Sequence, residues 1–216
     1  MLKFNFFIFD FDGNICDTNK AVHYCITKTL DEYNINFDKS YLEYLISQGL
    51  SLKDTFAELA KNTCVESLIK QYRVIYNSGK GIEMSNLYPN VHEVFDYLKL
   101  NNSTIFVLSN KGIISISEAL NYFQLDKYID MCIADSLEMK KKPDPMIYNE
   151  VIRTKYTYLN PQEVLMIGDK VGDINFAKNS FISSCWAKYG DGNKEECIDL
   201  NLTYKIDSFS SLLEII

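Results

Sequence analysis

The sequence predicts an α/β chain: a parallel sheet with helices on both faces, interrupted after its first strand by an all-helical insertion. Three observations carry this reading. The apolar run "LKFNFFIFD" ends in Asp10-Phe11-Asp12, the pattern of a buried strand that stops at a polar edge. Residues 17 to about 80 show helical periods and no strand pattern. From Pro89 onward, short β-rich runs alternate with helical ones, as βαβ units do.

Each element has a local reason. Val22, Ile26, Leu30 and Tyr33 give residues 18 to 36 a helical stripe, with Thr18 as N-cap. Tyr41, Leu42, Tyr44, Leu45 and Ile46 predict a second helix, stopped by Gly49. Ser51 caps a third that carries Phe56, Leu59 and Ala60. Val65, Leu68, Ile69, Tyr72, Ile75 and Tyr76 mark a fourth, ended by "NSGKG" at 77 to 81. In the alternating half, Val91 to Leu100 is helical, "STIFVLSN" is a strand ending at Ser109, and "GIISISEALNYFQL" is helical. "DMCIAD" is a strand, and Pro143 to Arg153 is a helix with proline in its first turn. "EVLMIGD" is a buried strand ending at Asp169; "VGDINFAKNS" is a helix and "FISSCWA" a strand. "YKIDSFSSLLEII" closes the chain as strand then helix.

Composition sets limits on function. Hydrophobic residues make up 47% of the 216 and charged residues 24%, as in a globular chain. A net charge of −7 argues against nucleic acid or an anionic membrane as partner, since both select basic surfaces. No apolar run has transmembrane length, and Asp10 and Asp12 interrupt the N-terminal one before it could serve as a signal, so a cytoplasmic location is expected. Cys16, Cys25, Cys64, Cys132, Cys185 and Cys197 show no Cys-x-x-Cys spacing, which predicts reduced, mostly buried thiols. A monomer or homodimer is expected.

Ligands of an open parallel sheet bind beyond the carboxyl ends of its strands. Four polar clusters fall at such boundaries: Asp10 to Gly13, Ser109 to Gly112, Lys142 before Pro143, and Gly168-Asp169 with Asp173 a turn further on. One aspartate at a strand end is ordinarily a turn residue, and Lys140 to Lys142 alone would be a solvated run. All four on one edge point to a site. Clustered carboxylates repel unless a cation shares them, and a hard oxygen-seeking ion such as Mg²⁺ suits them. One carboxylate can attack phosphorus and a second can move the proton. A hydroxyl and an ammonium can hold the phosphoryl oxygens.

These residues resemble the haloacid dehalogenase superfamily. "DFDGN" (10–14), "LSNK" (108–111), "KKPDP" (141–145) and "IGDKVGDINFAKN" (167–179) match its four motifs in order, and "LYPNVHEVFDYLK" (87–99) extends the likeness across nearly the whole chain. The subgroup resembled is that of phosphoglycolate phosphatase and β-phosphoglucomutase. The resemblance implies a Rossmann-like core from residues 1–16 and 81–216 and a helical C1 cap from 17–80. It implies Asp10 as nucleophile and metal ligand, and Asp12 as general acid/base with its carbonyl on the metal. Ser109 and Lys142 would hold the phosphoryl group with Asn110 beside them. Asp169 would anchor the metal, and Asp173 would bind a metal-bound water or orient Lys142. The implied activity is Mg²⁺-dependent hydrolysis of a small phosphorylated metabolite.

The chain departs from the family pattern at several points. Asn14 stands where threonine is usual, and Phe181 where glycine often follows the fourth motif, which reads as a packing change. The cap stretch "GLSLKD" (49–54) resembles the mutase specificity loop, with Gly49 shaping the turn and Lys53 reaching the substrate, but Leu52 takes the arginine position. A mutase must hold a second phosphate there, so hydrolysis is favoured over a sugar phosphomutase. The intact core set argues against a non-catalytic phosphate-binding regulatory protein. Of the two histidines, His23, near the cap hinge, is the better functional candidate.

Overall fold

The computed structural model describes residues 2–61, 63–135 and 140–216. Six parallel strands form the main sheet: β1 (Phe6–Phe9), β4 (Thr104–Gly112), β5 (Met131–Asp135), β6 (Val164–Gly168), β7 (Ser183–Ala187) and β8 (Tyr204–Ile206). Two short antiparallel strands, β2 (Cys16–Asp17) and β3 (Asn86–Leu87), form a separate ribbon where the chain leaves the sheet for the helical insertion and returns. The order across the main sheet is β5-β4-β1-β6-β7-β8. The chain thus builds outward from β1 on one side, then returns to build outward on the other, so the order reverses between β1 and β6. Such a switch point is where open α/β sheets place their ligands. Phe9 is in register with Val107 on one side and Ile167 on the other, which brings the ends of β1, β4 and β6 level.

Alternation along β1 explains the layers. Phe7 and Phe9 point to one face, into a core with Ile105, Val107, Leu165, Ile167 and Phe95. Phe6 and Ile8 point to the other, with Phe106, Leu108, Met166, Tyr148 and Phe176. Both faces are apolar because helices cover both. Truncating one of these buried phenylalanines to alanine costs about 3–5 kcal/mol.

The insertion has its own core. Helices α1 (Asn19–Glu32), α2 (Lys39–Ser47), α3 (Leu52–Leu59) and α4 (Val65–Ile75) pack Ala21, Cys25, Ile26, Leu30, Leu42, Phe56, Leu68, Tyr72 and Tyr76 together. Ser51 caps α3 through the Asp54 amide, as its position predicts. Thr18 occupies the N-cap position of α1 but makes no capping bond there; its hydroxyl donates to Asp12 instead.

Several boundaries differ from the sequence expectation, for local reasons. β4 continues past Ser109 to Gly112, with its pairing to β5 shifted between Leu108 and Gly112. After α4 the backbone stays helical through Glu83, broken only at Gly79, whose φ is 98°. Residues 143–145 form a turn rather than the start of a helix: the Asp144 amide donates to the Lys141 carbonyl and its carboxylate accepts from the Met146 amide, and helix begins at Met146, with π-helical bonding over Ile147–Ile152. Phe181 is 89% exposed with φ 57°, so its role is conformational and not the packing change expected. Glycine suits that left-handed position better than phenylalanine does.

Candidate active site

The ends of β1, β4 and β6 deliver the predicted groups to one place. Asp10 follows β1 directly, and its amide donates to the Ile167 carbonyl of β6 at 2.9 Å. The Lys142 ammonium lies 2.7 Å from Asp10 Oδ1, 2.6 Å from Asp173 Oδ1 and 2.9 Å from the Leu108 carbonyl. Asp10, Lys142, Asp169 and Asp173 are all buried. The Lys142 ammonium is balanced there by the two carboxylates that it meets.

Burial dominates the electrostatics of two aspartates. It pushes the Asp10 carboxyl up to about 6, against the pull of Lys142. It pushes Asp169 up to about 8, with Lys170 opposing and Asp10 and Asp173 reinforcing the rise. Asp12 behaves differently. Burial would raise it too, but the Lys111 ammonium, 2.8 Å from Oδ1, outweighs this and holds it below the ordinary range. Thr18 donates to the same oxygen at 2.5 Å. Burial alone would lower Lys142, yet Asp10 and Asp173 hold it above the ordinary lysine range.

Asp169 is fully buried. Its Oδ2 accepts from the amides of Asp191 (2.9 Å) and Gly192 (3.0 Å), while Oδ1 has no hydrogen-bond partner. Carboxylate oxygens of Asp10, Asp169 and Asp173 lie within 4.8 Å of one another. An orphaned buried oxygen beside a second carboxylate fits a hard cation with oxygen ligands. Asp173 is the most committed of the three, since Oδ1 meets Lys142 and Oδ2 accepts from the Lys170 amide. Of the two roles the resemblance implies for it, this geometry matches the orienting of Lys142. Gly13, with φ +81°, allows the close approach: a Cβ there would stand 2.2 Å from Asp169 Oδ2.

The remaining predicted residues divide. Ser109 is buried in the irregular stretch of β4, its hydroxyl accepting from the Lys111 amide, and Asn110 Oδ1 accepts from the Lys142 amide. Gly49 reaches the core: with φ +67°, it lies on the stem of Lys170. Lys53 does not join this group. It is exposed in the first turn of α3, with its charge beside Glu66. Leu52 packs against the core of the helical insertion. His23 lines a cavity of about 370 Å³ with Asn19, Lys20, Glu43, Ile46 and Ser47, whereas His92 packs against Tyr128.

Sequence reasoning missed Lys111, Lys170, Thr18 and the Gly190–Gly192 turn. Lys111 and Lys170 each directly follow a recognised motif residue, a usable signal; the turn that cradles Asp169 had none. Asn14, singled out as a departure, bonds to both adjacent strand ends. Its Nδ2 donates to the carbonyls of Ile167 (2.9 Å) and Asp10 (3.3 Å), and its Oδ1 accepts from the Tyr189 hydroxyl (2.7 Å).

Fold and site together define an α/β enzyme with buried carboxylates and an ammonium at the switch point of its sheet. The haloacid dehalogenase-like hydrolase profile matches residues 7–187, and the chain belongs to that family. Among curated proteins it is 28% identical, over 221 residues, to pyrophosphatase PpaX of Bacillus mycoides, covering 100% of this chain and 98% of that protein. Among solved structures, a predicted phosphatase from Clostridium acetobutylicum superposes with a TM-score of 0.79 at 25% identity, covering 98% of this chain and 97% of the other. A predicted phosphoglycolate phosphatase from Haemophilus somnus shares the fold at TM-score 0.79 and 21% identity, over 100% of this chain and 99% of its own. Members of the family generally use a divalent metal, and the acidic cluster is present here.

Proposed function

We propose that this hydrolase is a Mg²⁺-dependent phosphatase that cleaves a small phosphorylated metabolite through an aspartyl-phosphate on Asp10. The observation that carries the reading is the meeting of Asp10, Lys142 and the orphaned Asp169 oxygen at one strand edge. The pyrophosphatase name of the PpaX relatives agrees with cleavage of a phosphorus–oxygen bond.

In the first step a carboxylate oxygen of Asp10 attacks phosphorus, and the bond to the leaving oxygen breaks. Lys142 keeps Asp10 Oδ1 fixed and places positive charge beside the phosphoryl oxygens. Ser109 and Asn110 hold the same group. Asp12, held ionised by Lys111 in the free protein, must take up a proton as substrate binds; it passes that proton to the leaving oxygen, then as carboxylate takes one from the water that attacks phosphorus and frees Asp10. Its pairing with Lys111 suits that second role. Asp10 and Asp169, with the main-chain carbonyl of Asp12, would hold Mg²⁺, and Asp173 would keep Lys142 in place. When bound, the ion neutralises the carboxylates and the phosphoryl charge.

Residues 17–80 act as a cap over the core formed by 1–16 and 81–216, excluding water and selecting the substrate. The packing of Leu52 into the cap interior leaves it no part in holding a second phosphate, which favours a phosphatase over a phosphomutase. The test is a panel of phosphorylated metabolites incubated with protein and Mg²⁺. Phosphate release that stops with EDTA supports the reading. Isomer formation without release would make the protein a mutase, and inactivity across the panel would count against phosphatase chemistry.

A further inference from the structure

The three lysines of the site are not equivalent. Lys142 is shared among Asp10, Asp173 and the Leu108 carbonyl. Lys111 lies between Asp12 and the ring of Tyr76, 4.3 Å from its centre. Lys170 has no such commitment. Among the described residues, no carboxylate oxygen lies within 4.0 Å of its ammonium. Yet it is half-buried, and its charge acts on Asp169, Asp10, Asp12 and Asp173. Those carboxylates keep the ammonium charged from a distance, yet no carboxylate takes its hydrogen bonds directly, so it still has them to give to an incoming anion.

Its position says which anion. The stem of Lys170 lies under the cap loop: a Cβ on Gly49 would stand 2.7 Å from its Cδ. Gln48, one residue earlier, donates to Glu196 at 3.0 Å, tying the same loop to the core. Lys142, on the other hand, already serves the nucleophile. Lys170 therefore stands where the loop of Gly49 meets the carboxylate cluster, and a substrate with its phosphorus at Asp10 would reach it with its leaving-group side.

Resting on the phosphatase reading, we propose that Lys170 is a specificity-determining residue: it pairs with a second negative charge, phosphate or carboxylate, carried on the leaving-group side of the substrate beneath Gly49. Substrates with such a charge are then preferred over esters with an uncharged leaving group.

The test compares wild type, Lys170→Met and Lys170→Arg on pyrophosphate, phosphoglycolate and p-nitrophenyl phosphate with Mg²⁺. In Lys170→Met the ratio of kcat/KM for pyrophosphate or phosphoglycolate, which carry a further charge on the leaving-group side, to that for p-nitrophenyl phosphate should fall roughly tenfold or more, through KM. That ratio corresponds to about 1.4 kcal/mol. Lys170→Arg should restore most of it. Which of the two anionic substrates falls further separates a phosphate partner from a carboxylate one. Parallel losses on all three substrates, or an unchanged ratio, would overturn the proposal. Calorimetric binding of non-hydrolysable imidodiphosphate and of inorganic phosphate provides a reading independent of turnover. Lys170→Met should weaken imidodiphosphate far more than phosphate, and equal weakening would overturn the proposal. Wild type inactive on every ester but showing this binding difference would reject the phosphatase reading and keep the role of Lys170.

Discussion

The strand edge and the helical insertion bury opposite kinds of residue. The edge holds Asp10, Ser109, Lys142, Asp169 and Asp173 away from water. The insertion encloses an almost wholly apolar core, and its charged residues, Lys53 among them, stay outside. Buried charges are costly unless they serve one another or a ligand. On the proposed mechanism the chemistry belongs to the edge, and the insertion would act by shape and by where its loop touches the edge at Gly49 and Lys170.

The largest effect that could break this comparison is at the nucleophile. Asp10→Asn should lower turnover by roughly a thousandfold or more, the scale seen when a catalytic nucleophile is lost. Steady-state assay with any active substrate checks it. Lys142→Met should rank next. It leaves Asp10 and Asp173 buried without their ammonium, which costs about 3–5 kcal/mol of stability when a buried pair is broken. Turnover should fall by about a hundredfold or more, as on loss of a group that stabilises transition-state charge. Denaturant melts and kinetics on the same sample separate the two losses.

The metal-free protein gives a pH signature of the edge alone. Burial raises the Asp169 carboxyl from 3.8 to about 8 and that of Asp10 from 3.8 to about 6. The folded state thus keeps protons that the unfolded state has released. Stability is full below about pH 4 as far as these groups are concerned, and falls as pH rises through 6 and 8. Melting in EDTA should drop between pH 5 and pH 8 by at least a few °C, since about 1 kcal/mol moves the midpoint of a chain this size by a few degrees. Mg²⁺ should restore more at pH 8 than at pH 5. A flat profile in EDTA would remove the electrostatic account of the cluster. The smallest effect should come from the insertion: Lys53→Ala, exposed and beside Glu66, should change kcat/KM by less than about twofold for every substrate.

The same contrast explains what was legible in the sequence. Strand ends announce themselves, because an apolar run that stops at Asp10 or Asp169 marks both an element boundary and a candidate site position. The parallel sheet and the helical insertion followed from periodicity, which depends only on neighbouring residues. Lys53 is exposed on α3, apart from the strand-edge groups; a helical period tells which face is apolar and not which polar residue faces another element. The contact of Gly49 with Lys170, and the turn at 190–192 that cradles Asp169, join residues far apart in the chain. No local pattern encodes them. Thr18 stands at the N-cap position that its place predicts, but Asp12, tied also to Lys111, takes its hydroxyl, which no local pattern encodes.

The central claim is that Asp10 carries the phosphoryl group during turnover. The most direct measurement is a single turnover, acid-quenched at successive times, with the protein digested and its peptides weighed. The account predicts a transient phosphate adduct on the peptide containing Asp10, rising before free phosphate and absent from Asp10→Asn. Phosphate appearing with no adduct at any time, or an adduct on another residue, would contradict it.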